Sequence, residues 1–342
     1  MAALRQMAPR SITGPQLSRR AILRSFGSIA MAWPLAAGAA ETKRPVRMGF
    51  VPLGSPENAY DQSLVAAFRH GLERVGLKEP GDIVLDTVWV TSGADKAVAE
   101  VLSRGATLLV TCGTSASVAA QRQSSSIPIV FISVGNPVGI GIADSISQPG
   151  RNATGFSDIL SMLGGKLVEF AHEINKPQMA VDYLWHTDWP DGEARFRATS
   201  EAAQTAGVEF RSQGIRNAAE IADALAKLKD GGAATVIVQP SPFSYRERGR
   251  LIEAAAGHGL GTIFAFPVAA REGALMAYGP DYLHMYDRAA FYVDRILKGA
   301  KPADLPIEEA AKLQLVVNLK SAKAIGRDMP MRLLIGADEL IE

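Results

Sequence analysis

The chain has 342 residues, 47% of them hydrophobic and 21% charged, with a mean hydropathy of +0.07, which excludes a disordered or low-complexity protein. That length exceeds one comfortable core, so two domains are expected. The first 40 residues hold five arginines and no acid, leaving 31 basic against 35 acidic residues, a net charge of −4 with no electrostatic footprint for nucleic acid.

Residues 1–40 read as an export signal. Arg19 and Arg20 stand directly before the apolar stretch 26–37, and the small residues at 36–40 offer a cleavage site before Glu41. The paired arginines resemble a twin-arginine signal, with Ile22 and Arg24 where Phe and Lys are usual; the Sec route stays open. The mature protein is expected to be soluble and periplasmic, since no run of 18 apolar residues occurs to span a membrane. One cysteine, Cys112, excludes an intrachain disulfide and any multi-cysteine metal cluster.

From residue 46 strand-like and helix-like runs alternate. Strands are expected at 46–52, 83–90, 108–111 and 129–133, with helices at 63–75, 94–103 and 114–124 between them. The pattern restarts with a helix at 164–175. Strands follow at 179–185, 208–212, 235–238 and 262–264, with helices at 192–206, 218–229 and 245–258. Repeated βα units imply parallel sheets covered by helices, and two such series imply two α/β lobes. A strand at 274–278, a long helix at 282–298 and a strand at 314–318 then complete the sheets in turn. The expected division gives lobe 1 residues 45–155 and about 276–305, and lobe 2 residues 156–275 and about 306–342. The Gly- and Pro-punctuated stretches 150–156 and 301–306 read as crossings, and several crossings make a hinge.

Six groups of residues then carry a resemblance. Ile127 to Phe131 (I-P-I-V-F) precedes Gly135-Asn136-Pro137-Val138-Gly139 and Gly150 to Phe156 (G-R-N-A-T-G-F). Tyr292 to Gly299 (Y-V-D-R-I-L-K-G), Leu305-Pro306 and Leu315 to Lys320 (L-V-V-N-L-K) follow in order. The chain resembles the ABC-transporter substrate-binding proteins, a family with tryptophan- and tyrosine-type members, from about residue 46 to the end. The resemblance implies a type I periplasmic-binding fold: two Rossmann-like lobes, three crossings and a ligand cleft between them. Asn136 stands where many relatives are expected to have Asp, and its amide carries no charge to neutralise a cationic ligand group.

Catalytic templates fail. The five histidines (His70, His172, His186, His258, His284) lack metal-ligand spacing, and no phosphate loop, dinucleotide fingerprint or G-x-S-x-G elbow occurs. No catalytic residue, metal or cofactor is expected.

Ligands of open α/β sheets sit beyond the carboxyl ends of strands, which selects the loops there. Ser55 and Asn58 follow the first strand; Thr114 and Ser115 open a helix whose free amides attract a carboxylate, or else simply cap it. Ser133 and Asn136 end another strand. In the second lobe Trp185, Asp188, Ser241 and Phe264 end strands in turn, the aromatics suiting either an apolar ligand or ordinary packing. Asp281 follows a Gly-Pro turn near the return crossing and is expected either to receive a ligand ammonium or to cap the next helix.

The expected function is capture of a small organic, amino-acid-like ligand and its delivery to an inner-membrane ABC permease, by a monomer that closes on the ligand. The alternatives are an exported sensor that presents ligand to a receptor, and an exported α/β enzyme.

Overall fold

A computed structural model describes residues 44–175, 178–189 and 191–342. The expected export signal, with Arg19 and Arg20, lies outside the described residues.

Thirteen strands form two sheets among the described residues. They are β1 (Val46–Val51), β2 (Ile83–Thr87), β3 (Leu108–Cys112), β4 (Ile129–Val134), β5 (Ala153–Ser157), β6 (Val181–His186) and β7 (Phe210–Ile215). Then come β8 (Thr235–Val238), β9 (Gly261–Phe264), β10 (Met276–Pro280), β11 (Glu308–Glu309), β12 (Leu313–Asn318) and β13 (Glu339–Ile341). The first sheet has the order β11-β5-β4-β3-β1-β2, all parallel. The second has the order β13-β12-β10-β9-β8-β6-β7, parallel except where β12 runs against β10. This is the two-lobed α/β architecture expected of a type I periplasmic-binding fold. Strand β3 shows why the sheets read as apolar runs: all five of its residues are buried, as a central parallel strand demands.

The division of the C-terminal segment differs from the expected 276–305. Strand β10 stays in the second sheet, hydrogen-bonded between β9 and β12, and the helix Tyr282–Leu297 and strand β11 return to the first lobe. That helix packs along the helix Ala59–Arg74, and its Tyr286 meets Phe50 of β1 edge-on at 6.4 Å. Strand β5, in a stretch read as a crossing, is instead a full member of the first sheet. Gly155, at φ 144°, lets β5 lie against the Phe131 backbone, where any Cβ would collide. The chain therefore crosses between the sheets after β5, after β10 and after β11. The helix expected at 245–258 is also broken, into Pro242–Arg246 and Arg248–Gly257, because Ser241 and Ser244 form a capping box that starts a separate turn. No helix among the described residues is long and apolar enough to cross a membrane.

Candidate functional site

The carboxyl ends of both sheets face one interlobe crevice. Its narrow centre, about 30 Å³, is walled on one side by Leu53, Gly113, Thr114 and Ser133 of the first lobe, with Asp158 and Leu160 from the crossing after β5. The second lobe contributes Trp189, Arg195, Pro240, Ser241, Pro242 and Phe266. That volume holds about one or two waters. Two neighbouring clefts continue the seam: one of about 280 Å³ beside Ser115 and Cys112, and one of about 440 Å³ beside Ser55, Asn58 and Asp61.

Three features give the centre its chemistry. The helix Thr114–Gln123 begins at Gly113, whose φ of 79° only glycine adopts easily, and no side chain caps its first turn. Its leading amides are therefore open to an anion, with the helix dipole behind them. Thr114 and Ser115 do not act as the cap.

Opposite stands Arg195, on the helix Gly192–Thr205. It is 7% exposed, and its Nε and Nη1 have no hydrogen-bond partner among the described residues. Its contacts include a long 3.6 Å ion pair from Nη2 to Asp191 and the Trp189 ring, 4.9 Å from the guanidinium carbon. A buried cation with idle donors is costly, so such a group is ordinarily completed by an anion.

The third feature is Asp158, 4% exposed. Its Oδ2 accepts from the Ser133 hydroxyl at 2.8 Å, and its Oδ1 accepts from the Leu160 amide at 3.0 Å. The Tyr282 hydroxyl is buried beside this cluster without a partner among the described residues. Burial pushes the Tyr282 phenol well above its ordinary range, and the Asp158 charge pushes it the same way. Ser133 and Ile159, flanking this cluster, hold left-handed backbone at φ 59° and 53°. Strain of that kind concentrates where a loop is held for a task.

Of the residues expected from the sequence, Thr114, Ser133 and Ser241 meet at this centre, and Ser115, Ser55 and Asn58 lie along the seam. The others go elsewhere for identifiable reasons. Asn136 is exposed at φ 47° and its side chain accepts from the Gly139 amide, bracing the turn. Trp185 stacks on Phe196 at 4.7 Å inside the second lobe, and Phe264 is fully buried in β9. Asp188 is exposed. Asp281 caps the helix Tyr282–Leu297 through the His284 amide and accepts from Lys312 at 2.7 Å and Gln314 at 3.1 Å. Its carboxylate is thus spent on the hinge. Burial pushes that carboxyl up, but Lys312 and the His284 amide more than offset this and hold it below the usual range.

Asp158, Arg195 and Tyr282 are not among the residues expected from the sequence. Asp158 follows β5, which its glycines disguised as a crossing. Trp189 and Phe266 lie one and two residues beyond Asp188 and Phe264. Arg195 carries no sequence signal, since a guanidinium on a polar helix face looks like any surface arginine.

A second polar cluster lies farther along the seam. Asp61 accepts from the Ser55 amide of its own lobe at 2.9 Å and from Tyr245 of the other at 2.7 Å. Burial raises its carboxyl above the ordinary value, against the opposing pull of Arg248, Tyr245 and the Ser55 amide.

Comparison with known proteins follows this geometry. Residues 61–341 match the family model of the ABC transporter substrate binding protein. A curated relative, a tyrosine-binding protein of Clostridioides difficile, is 23% identical over 224 residues, which cover 64% of this chain and 62% of that protein. Among solved structures, an ABC domain in complex with L-Trp from Streptococcus pneumoniae has a TM-score of 0.77 at 17% identity, covering 87% of this chain and all of the other. A conserved domain protein of Vibrio cholerae has a TM-score of 0.76 at 20% identity, covering 86% of this chain and 99% of that one. The matched span takes in all of both sheets but β1 and every named wall residue of the narrow centre but Leu53, and the chain belongs to the ABC transporter substrate-binding protein family.

Proposed function

We propose that the crevice binds a free amino acid with an aromatic or apolar side chain, and that the protein carries it through the periplasm to an inner-membrane ABC permease. The observation that carries this reading is Arg195, a buried guanidinium with two idle donors, which walls the same narrow centre as the uncapped start of the helix Thr114–Gln123. A carboxylate between them receives charge-assisted hydrogen bonds from both lobes. Asp158 stands ready for the ammonium, with the Tyr282 hydroxyl beside it. Leu53, Leu160, Trp189 and Phe266 supply apolar and aromatic wall for the side chain.

The ligand types named for the Clostridioides difficile and Streptococcus pneumoniae proteins support the same class. The narrow centre lacks room for such a ligand, so entry requires the lobes to part at the three crossings, and the ligand, bound by both, favours closure. The work is stoichiometric binding rather than turnover. The reading of residues 1–40 as an export signal supports the compartment.

Mass spectrometry of the small molecules released on denaturing gently purified protein tests this. An aromatic or apolar amino acid, near one per chain, is expected. A released ligand without a carboxylate overturns the reading.

A further inference from the structure

We propose that Asp61, Tyr245 and Arg248 form a latch between the lobes that sets how much of the ligand-free protein is closed. The latch deepens the reading of the crevice as the ligand site, although its own geometry is independent of the ligand's identity.

Asp61 belongs to the helix Ala59–Arg74 of the first lobe and is 1% exposed. Its Oδ2 is satisfied at home by the Ser55 amide. Among the described residues its Oδ1 is served only from across the seam, by the Tyr245 hydroxyl at 2.7 Å and by Arg248 Nη2 at 3.4 Å. Arg248 is likewise supported at home, donating to Glu272 at 2.7 and 2.9 Å and to the Tyr245 carbonyl at 2.8 Å. Asn58 of the first lobe adds a bond to Glu272 at 3.1 Å.

Each lobe thus presents a charged group already held in place, and the bonds between them exist only when the lobes meet. Closing without them buries an Asp61 oxygen unanswered, which is far costlier than leaving it in water. The seam therefore closes as one event with the latch.

Tyr245 also joins the latch to the ligand site. Its ring meets Phe266 edge-on at 5.1 Å, and Phe266 walls the narrow centre. The Arg248 guanidinium lies over the other part of the same ring, 4.6 Å from its centroid. A ligand bracing Phe266 steadies the ring whose hydroxyl reaches Asp61, which makes Tyr245 a positioning residue for closure.

Small-angle scattering of the ligand-free protein reads this directly. Tyr245→Phe removes one oxygen and keeps the ring against Phe266 and Arg248, so the variant retains its packing. Its radius of gyration is expected to exceed that of the unaltered protein. Asp61→Asn gives an independent second reading in the same direction. Calorimetry with L-tryptophan as the probe is expected to show roughly tenfold weaker binding for Tyr245→Phe, in proportion to the lost closed population. Ligand-free scattering that is identical for both variants and the unaltered chain overturns the latch. Because that comparison contains no ligand, it stands or falls apart from the amino-acid assignment.

Discussion

Arg195 of the second lobe lies directly against the backbone of Gly135 in the first, so that a Cβ on Gly135 would collide with its Nη2 while standing 3.4 Å from the Asp158 carboxylate. The absence of a side chain at residue 135 is what lets the guanidinium reach the floor of the opposite lobe. This contact exists only with the lobes together, and it places the cation of one lobe beside the acid of the other.

Gly135→Ala therefore separates closure from folding. The added methyl meets no backbone barrier, since Gly135 does not adopt the left-handed conformation, and the collision vanishes when the lobes part. At least tenfold weaker ligand binding is expected by calorimetry, with the ligand-free melting temperature nearly unchanged. Undiminished affinity in this variant counts against the close approach of Arg195.

Arg195→Met tests the cation itself. It removes a buried charge whose Nε and Nη1 lack partners, so scanning calorimetry of the ligand-free protein is expected to show equal or higher stability. Binding is expected to lose about 2–5 kcal/mol, the usual cost of deleting one partner of a desolvated charge pair. A large loss of stability with intact affinity indicates a purely structural arginine.

Asp281 gives the opposite pattern. Its carboxylate caps a helix and pairs with Lys312 away from the narrow centre, so Asp281→Asn is expected to lower stability by about 1 kcal/mol while sparing affinity. Its folded pKa is depressed, so this contribution is complete above the unfolded value near pH ~3.9 and fades as pH falls through the folded value. Denaturant melts at pH 7 and in the acid range should show the gap between variant and unaltered protein closing on acidification.

Much of the fold is written in apolar periodicity. The buried strands β3 and β8 and the helix capped at Asp281 follow from it and from local side-chain chemistry. Strands β5 and β11 are less legible for physical reasons. One contains Gly155 at its closest approach to β4, and the other is two glutamates made a strand only by pairing with β5. The site shows the same divide. Thr114, Ser133 and Ser241 end strands or start helices, positions that a reading of the topology selects. Arg195 reaches the centre, and Tyr282 the Asp158 cluster beside it, from helices whose orientation depends on how the two lobes meet, which no local pattern encodes.

The most direct measurement compares L-tryptophan with its carboxamide by titration calorimetry on the unaltered protein. If a carboxylate completes Arg195 and the helix Thr114–Gln123, the amino acid binds at one site per chain and the amide binds at least about thirtyfold more weakly, in keeping with the loss of about 2–5 kcal/mol. Equal affinity for the two, or preference for the amide, contradicts the account.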